Sequence, residues 1–229
     1  MNKHFPACGP VQPFGICDTM VTLVIWDLDG TLTESKPCIV ASYQYAAKSA
    51  GIPVPSEESL SHMMCGGLRD HIYEIFGKTG PEADRIVEYY RDYSRRHSDG
   101  IQLFDGILDV VRELSSRGVA QAIATMKLKN MAEDIAERLG LSKYMVAVEG
   151  DVPDGKITKC QMIKNCMATG TYDRVIMIGD CPSDQKAAAE AGVEFIAAVY
   201  GYGYTRARCQ AEGTAFVENA SEAISLACR

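Results

Sequence analysis

The chain has no apolar run near the roughly 20 residues needed to cross a bilayer. Its longest in the first half, Val21 to Trp26, is the length of a buried strand. It has no excess of positive charge either, since 23 Lys and Arg stand against 30 Asp and Glu, a net −7. Nucleic acid, whose phosphates favour basic surfaces, is therefore excluded as the main partner. A small phosphorylated substrate is not, because a bound cation and a few donors can reverse the field inside one pocket. Nine cysteines include no Cys-x-x-Cys pair, and the four histidines (His4, His62, His71, His97) are not grouped with them. That spacing argues against zinc and is read as a set of reduced thiols in a cytoplasmic protein. The N-terminus lacks the basic-then-apolar pattern of a secretory signal. Residues 1–19, with three prolines, two glycines and two cysteines, read as a loosely ordered leader.

What is present is ordinary in bulk and specific in pattern. The 229 residues are 47% hydrophobic and 23% charged, enough for one large domain or a core with an insertion. Val21–Trp26 is apolar on both faces, as a central parallel strand requires. The period then becomes helical over Pro37–Ala50, with Ile39, Val40, Tyr43, Ala46, Ala47 and Ala50 in register, and Gly51, Pro53 and Pro55 end it. Further helices are expected near Glu57–Met64, Leu68–Phe76 and Pro81–Arg96. From Asp105 helices and strands alternate: helix Ile107–Ser116, strand Val119–Thr125, helix Asn130–Leu139, strand Tyr144–Val148. Helix Thr158–Met167, strand Arg174–Ile178, helix Pro182–Ala191, strand Glu194–Val199, a short strand Ala215–Val217 and a C-terminal helix complete the series. Such alternation predicts an α/β fold with a doubly wound, Rossmann-like parallel sheet, comprising residues 20–35 and 101–229. The all-helical block at 36–100 is expected to be a cap inserted over the sheet's carboxyl edge, where ligands bind.

The strongest local signal is Asp27-Leu28-Asp29-Gly30-Thr31-Leu32, directly after the first strand. A tight turn would account for Gly30, but not for two carboxylates at this spacing. Ile123-Ala124-Thr125 ends the second core strand in a hydroxyl, and Gly179-Asp180-Cys181-Pro182-Ser183-Asp184 follows the strand at Arg174–Ile178. These segments resemble the first, second and fourth motifs of the haloacid dehalogenase superfamily, and the resemblance runs from about Val21 to the C-terminus. The family pattern also implies a lysine some way before Asp180. Lys156 and Lys159 both qualify, and Lys159 is preferred because it opens a helix. Helix capping is the plain alternative for Asp180 and Asp184, with Asp180 as N-cap and Pro182 early in the helix, but capping would need only one of them.

Phosphate monoesters hydrolyse so slowly unaided that positioning, worth roughly 7–11 kcal/mol, must be joined by charge neutralisation and a divided reaction path. The resemblance implies Asp27 as nucleophile, giving an aspartyl-phosphate, and Asp29 as general acid and base. It implies Mg²⁺ held by Asp27, the backbone carbonyl of Asp29 and Asp180, with Asp184 orienting from behind. Thr125 would donate to the phosphoryl oxygens and Lys159 would balance charge. The acid at position 29 separates this chain from carbon–halogen hydrolases and from phosphonate-cleaving relatives, which lack it. The substrate implied is a small phosphorylated metabolite, nearest to phosphoglycolate-phosphatase-like members. The alternatives are a sugar phosphomutase related to β-phosphoglucomutase and a non-catalytic phosphometabolite-binding module. In the helical block, Gly66-Gly67 resembles a substrate loop, and Arg69 is either a substrate anchor or part of a charged helix face. Gly77-Lys78-Thr79 is not a P-loop, because position 72 is Ile rather than Gly.

Overall fold

Every residue of the first strand, β1 (Thr22–Trp26), is buried, as its unbroken apolar character requires. The structure, a computed structural model, describes residues 20–153 and 156–228, so the leader read at 1–19 lies outside the described residues. After β1 come β2 (Thr33–Glu34), α1 (Lys36–Ala50), α2 (Glu57–Leu60), α3 (Leu68–Phe76), α4 (Gly80–Arg96) and β3 (Gln102–Leu103). Then follow α5 (Ile107–Ser116), β4 (Ala120–Leu128), α6 (Lys129–Arg138), β5 (Ala147–Asp151) and α7 (Lys159–Met167). The chain closes with β6 (Arg174–Gly179), α8 (Pro182–Ala191), β7 (Glu194–Ala198), α9 (Arg206–Glu212), β8 (Phe216–Val217) and α10 (Glu222–Ala227).

Six strands form one parallel sheet in the order β5-β4-β1-β6-β7-β8. The chain leaves β1 towards β4 and β5 and later returns to β1's other side at β6. The topological switch therefore lies at β1, and the crevice it opens sits beyond the carboxyl ends of β4, β1 and β6. Alternate residues of the sheet feed two cores. Val24, Trp26, Ile123, Ile176 and Ile178 pack on α5, α6 and α10, while Leu23, Ile25, Ala122, Ala124 and Met177 pack on α7 and α8. Gln121, buried in β4, accepts from Trp26 Nε1 at 3.1 Å and donates to the Val111 carbonyl at 2.8 Å.

Helices α1 to α4 lie between β2 and β3, which pair antiparallel as a short two-stranded ladder. They share a third core of Ile39, Val40, Tyr43, Leu60, Ile72, Ile86 and Val87. Two local expectations are corrected and one helix is added. The helix near Glu57–Met64 stops at Leu60 and continues as a 3₁₀ turn, Ser61–Met63, where the Ser61 hydroxyl bonds back to the Glu58 carbonyl. Strand β5 starts at Ala147 rather than Tyr144, because Ser142–Tyr144 forms a 3₁₀ turn. Helix α9 had no apolar period to reveal it, since Cys209 is its one buried residue.

Candidate active site

The crevice gathers Asp27, Asp180 and Asp184, whose carboxylate oxygens lie within 4.8 Å of one another. Asp27 continues β1, with its N–H donating to the Ile178 carbonyl of β6 at 2.9 Å. Asp180 follows β6, and Asp184 lies in the first turn of α8. Gly30 has φ +83°, a conformation costly for residues with a Cβ, and a Cβ there would overlap the Asp180 carboxylate. The turn after Asp29 is thus both shaped and cleared by that glycine. Thr31, fully buried, donates its hydroxyl to Asp180 Oδ1 at 3.1 Å, and the Thr33 hydroxyl donates to the Leu28 carbonyl at 3.0 Å.

Lys159 is the lysine at the acidic centre. Thr158 caps α7 by accepting from Gln161 N–H, which places Lys159 at the first turn, buried against Asp184 and 2.8 Å from Asp27 Oδ1. The Asp27 contact is an ion pair at an angle that makes no hydrogen bond. Lys156 is exposed, outside the lining of this cavity. Burial opposes the charge on Lys159, but Asp184 and Asp27 outweigh it and hold its pKa above the ordinary lysine range. Asp27 is pushed up to about 7, by burial first and by its acidic neighbours, with Lys159 working against the shift. Asp180 is pushed up to about 8 by burial and by Asp27 and Asp184.

Asp29 lines the same cavity; its Oδ1 is buried without a hydrogen-bond partner among the described residues, while its Oδ2 pairs with Lys127 Nζ at 2.9 Å. Lys127 did not emerge from the sequence. The strand expected to stop at Thr125 runs on to Leu128 through a register shift, and that extension delivers the lysine. Thr125 is buried and lines the cavity, with its Oγ1 accepting from the Lys127 N–H at 3.2 Å. Tyr202 was also missed: its N–H donates to Asp180 Oδ2 at 2.9 Å, from a loop with no motif to mark it.

Two readings of single residues are corrected. The N-cap of α8 is Cys181, not Asp180, and Asp184 at the third position accepts from the Cys181 N–H at 3.0 Å. Asp184 thus caps the helix and holds Lys159, while Asp180 is free of capping and faces Asp27. The thiols are not all reduced: Cys65 and Cys181 form a disulfide, which the absence of close spacing in sequence could not reveal. Arg69 is exposed and paired with Asp84, as part of a charged helix face rather than of this cavity.

The donor set fits a hard divalent cation. When ionised, four carboxylates (Asp27, Asp29, Asp180, Asp184) face two ammonium groups (Lys127, Lys159), an excess of two negative charges that protons on Asp27 and Asp180 relieve without metal and a bound cation would relieve in their place. All-oxygen donors favour Mg²⁺-like ions over zinc. The helical segment adds Tyr43, His71, Tyr90 and Arg91 to the cavity wall, and the core adds Met126, Leu128, Met131 and Asp151.

Residues 24–198 match the family described as haloacid dehalogenase-like hydrolase. The chain is 34% identical over 189 residues to the tyrosine-protein kinase PtkA of Mycobacterium tuberculosis, covering 81% of this chain but 64% of that protein. It therefore spans less than two thirds of that relative's length. It is 31% identical over 195 residues to a phosphoglycolate phosphatase of Agrobacterium fabrum, covering 79% and 81% of the two chains. The crystal structure of a predicted phosphatase from Clostridium acetobutylicum superposes with a TM-score of 0.83 at 28% identity, over 90% of this chain and 98% of that one. With the matched segment running from within β1 to the end of β7, the chain belongs to the haloacid dehalogenase-like hydrolase family.

Proposed function

We propose that the protein is a Mg²⁺-dependent phosphatase of small phosphorylated metabolites, working in the cytoplasm without a nucleic-acid or membrane partner. One observation carries the reading: a buried carboxylate, Asp27, ion-paired to Lys159, stands two residues from a second, Asp29, that lines the same cavity. Asp27 is the nucleophile. It attacks phosphorus in line, and the P–O bond to the leaving group breaks as the aspartyl-phosphate forms. Asp29 gives the leaving oxygen its proton and then takes one from the water that hydrolyses the intermediate. Lys127, against Asp29 Oδ2, keeps that carboxyl oriented. Thr125 and Lys159 donate to phosphoryl oxygens as charge moves onto them.

The Asp27 and Asp180 carboxylates and the Asp29 carbonyl would hold the ion, with Asp184 behind them fixing Lys159. Bound there, Mg²⁺ would supply the positive charge that lets a carboxylate approach a phosphate dianion. Residues 36–100 act as a cap that swings on the β2–β3 ladder and excludes water from the intermediate. No helix among the described residues is long and apolar enough to cross a membrane.

The test is phosphate release from a panel of phosphorylated metabolites, with Mg²⁺ and with chelator. Metal-dependent release concentrated on a few related compounds is expected. Transfer of the phosphoryl group within a sugar phosphate, without free phosphate, would instead indicate a mutase. Neither reaction from any compound would leave a binding module.

A further inference from the structure

Cys65 and Cys181, 116 residues apart in sequence, are joined by a disulfide with their Cα atoms 5.5 Å apart. Cys65 belongs to the loop before α3, and Cys181 directly follows Asp180 at the start of α8. One covalent bond therefore ties the helical segment to the residue next to the acidic centre. The surroundings are built to admit it. A Cβ at position 203 would lie 2.5 Å from Cys65 Sγ and 2.8 Å from the Asp180 carbonyl oxygen, so the glycine there makes room for the sulfur. On the other side, His71 lies with Nε2 3.1 Å from the Cys65 carbonyl and Nδ1 2.8 Å from the Tyr43 hydroxyl. The loop carrying Cys65 is thereby pinned to α3 and α1 and must move with them. The cavity beneath has a volume of about 110 Å³ and is walled partly by Met63, Met64, Gly66 and Cys181. Ligand pockets usually measure roughly 300–1,000 Å³, so as it stands this cavity is small for a substrate much larger than the phosphoryl group.

We infer that Cys65 and Cys181 form a thiol–disulfide switch that locks the helical segment over the site when oxidised and frees it when reduced. This rests on the hydrolase reading, in which the segment must open to admit substrate. The reductant is a dithiol. Its thiolate attacks Sγ of Cys65, the less buried of the two residues, and Cys181 departs as thiolate and takes up a proton. The second thiol then attacks the mixed disulfide, releasing Cys65 as a thiol and the reductant as its own disulfide. Two electrons and two protons pass to the protein. A disulfide oxidant such as oxidised glutathione reverses the exchange and leaves as two thiols. Between α4 and the end of β5, the Arg91–Asp151 ion pair at 3.4 Å and the Arg91 hydrogen bond to the Pro153 carbonyl at 2.9 Å are non-covalent and open without chemistry.

The full chain would be treated with oxidised glutathione or with dithiothreitol and freed of reagent. It would then be followed by peptide mapping without reduction, by hydrogen exchange, and by phosphate release with Mg²⁺. The expectation is a Cys65–Cys181 cross-linked peptide in the oxidised sample, faster exchange around residues 63–67 and 200–204 after reduction, and kcat/KM higher by about tenfold or more in the reduced form. Cys65→Ser should show the fast exchange and high activity after either treatment. A free Cys65 thiol in the oxidised sample, or identical exchange and kcat/KM in both forms of the unaltered chain, overturns the switch. Absence of phosphate release in both forms would count against the hydrolase reading alone, since mapping and exchange still decide whether the lock exists.

Discussion

Asp27 is buried beside one lysine and two other carboxylates, an arrangement that fits its proposed role as nucleophile. Asp27→Asn keeps the shape and removes the charge, so turnover should fall by about 10⁴-fold or more while the circular-dichroism spectrum is unchanged. Substantial residual activity in a folded variant would remove Asp27 from the nucleophile's role. The two candidate lysines separate in the same way. Lys159→Met strands two buried carboxylates, a change that costs about 3–5 kcal/mol when a buried pair is broken, and should lower both the melting temperature and the activity. Lys156 is exposed, so Lys156→Met should shift stability by no more than about 0.5 kcal/mol and leave turnover near that of the unaltered chain.

At the scale of elements, the site is made by loop backbones brought close together. The loop after β7 passes so near Asp180 that a Cβ at Gly201 would overlap its carboxylate and the Gly30 carbonyl. Gly201→Ala should therefore displace Asp180 and weaken Mg²⁺ binding by about tenfold or more, by analogy with the loss of a metal ligand's supporting partner. Titration calorimetry on the unaltered and altered chains measures this directly. Equal affinities would show that the loop yields without moving Asp180.

For the molecule as a whole, the acidic centre links folding to pH and to metal. Asp27 and Asp180 have pKa values raised to about 7 and about 8 in the fold, against an ordinary 3.8. The metal-free folded chain thus binds more protons than the unfolded chain between about pH 4 and 8. The stability these two groups contribute is fully present below about pH 4 and is lost as pH rises through 7 to 8. In chelator, the melting temperature should fall between pH 5.5 and 8.5, and added Mg²⁺ should raise it more at the higher pH, where both carboxylates are ionised. A metal effect greatest at pH 5.5 would contradict the assignment of these carboxylates as ligands.

The sequence by itself determined the parallel α/β core, because unbroken apolar strands alternating with amphipathic helices have few other ways to be buried. It also brought forward Asp27, Asp29, Thr125, Asp180 and Asp184, since motifs at strand ends keep their spacing whatever surrounds them, and narrowed the lysine to Lys159, preferred, or Lys156. Tertiary structure alone decided which lysine meets the acids: Lys156 and Lys159 differ by less than one helical turn, and only the Thr158 cap and the packing of α7 turn Lys159 inward. It alone revealed Lys127, carried in by a strand that outlasts its motif, and Tyr202, delivered by a loop. It alone paired Cys65 with Cys181, because closeness across 116 residues depends on how one element is set down on another, and no local pattern encodes it.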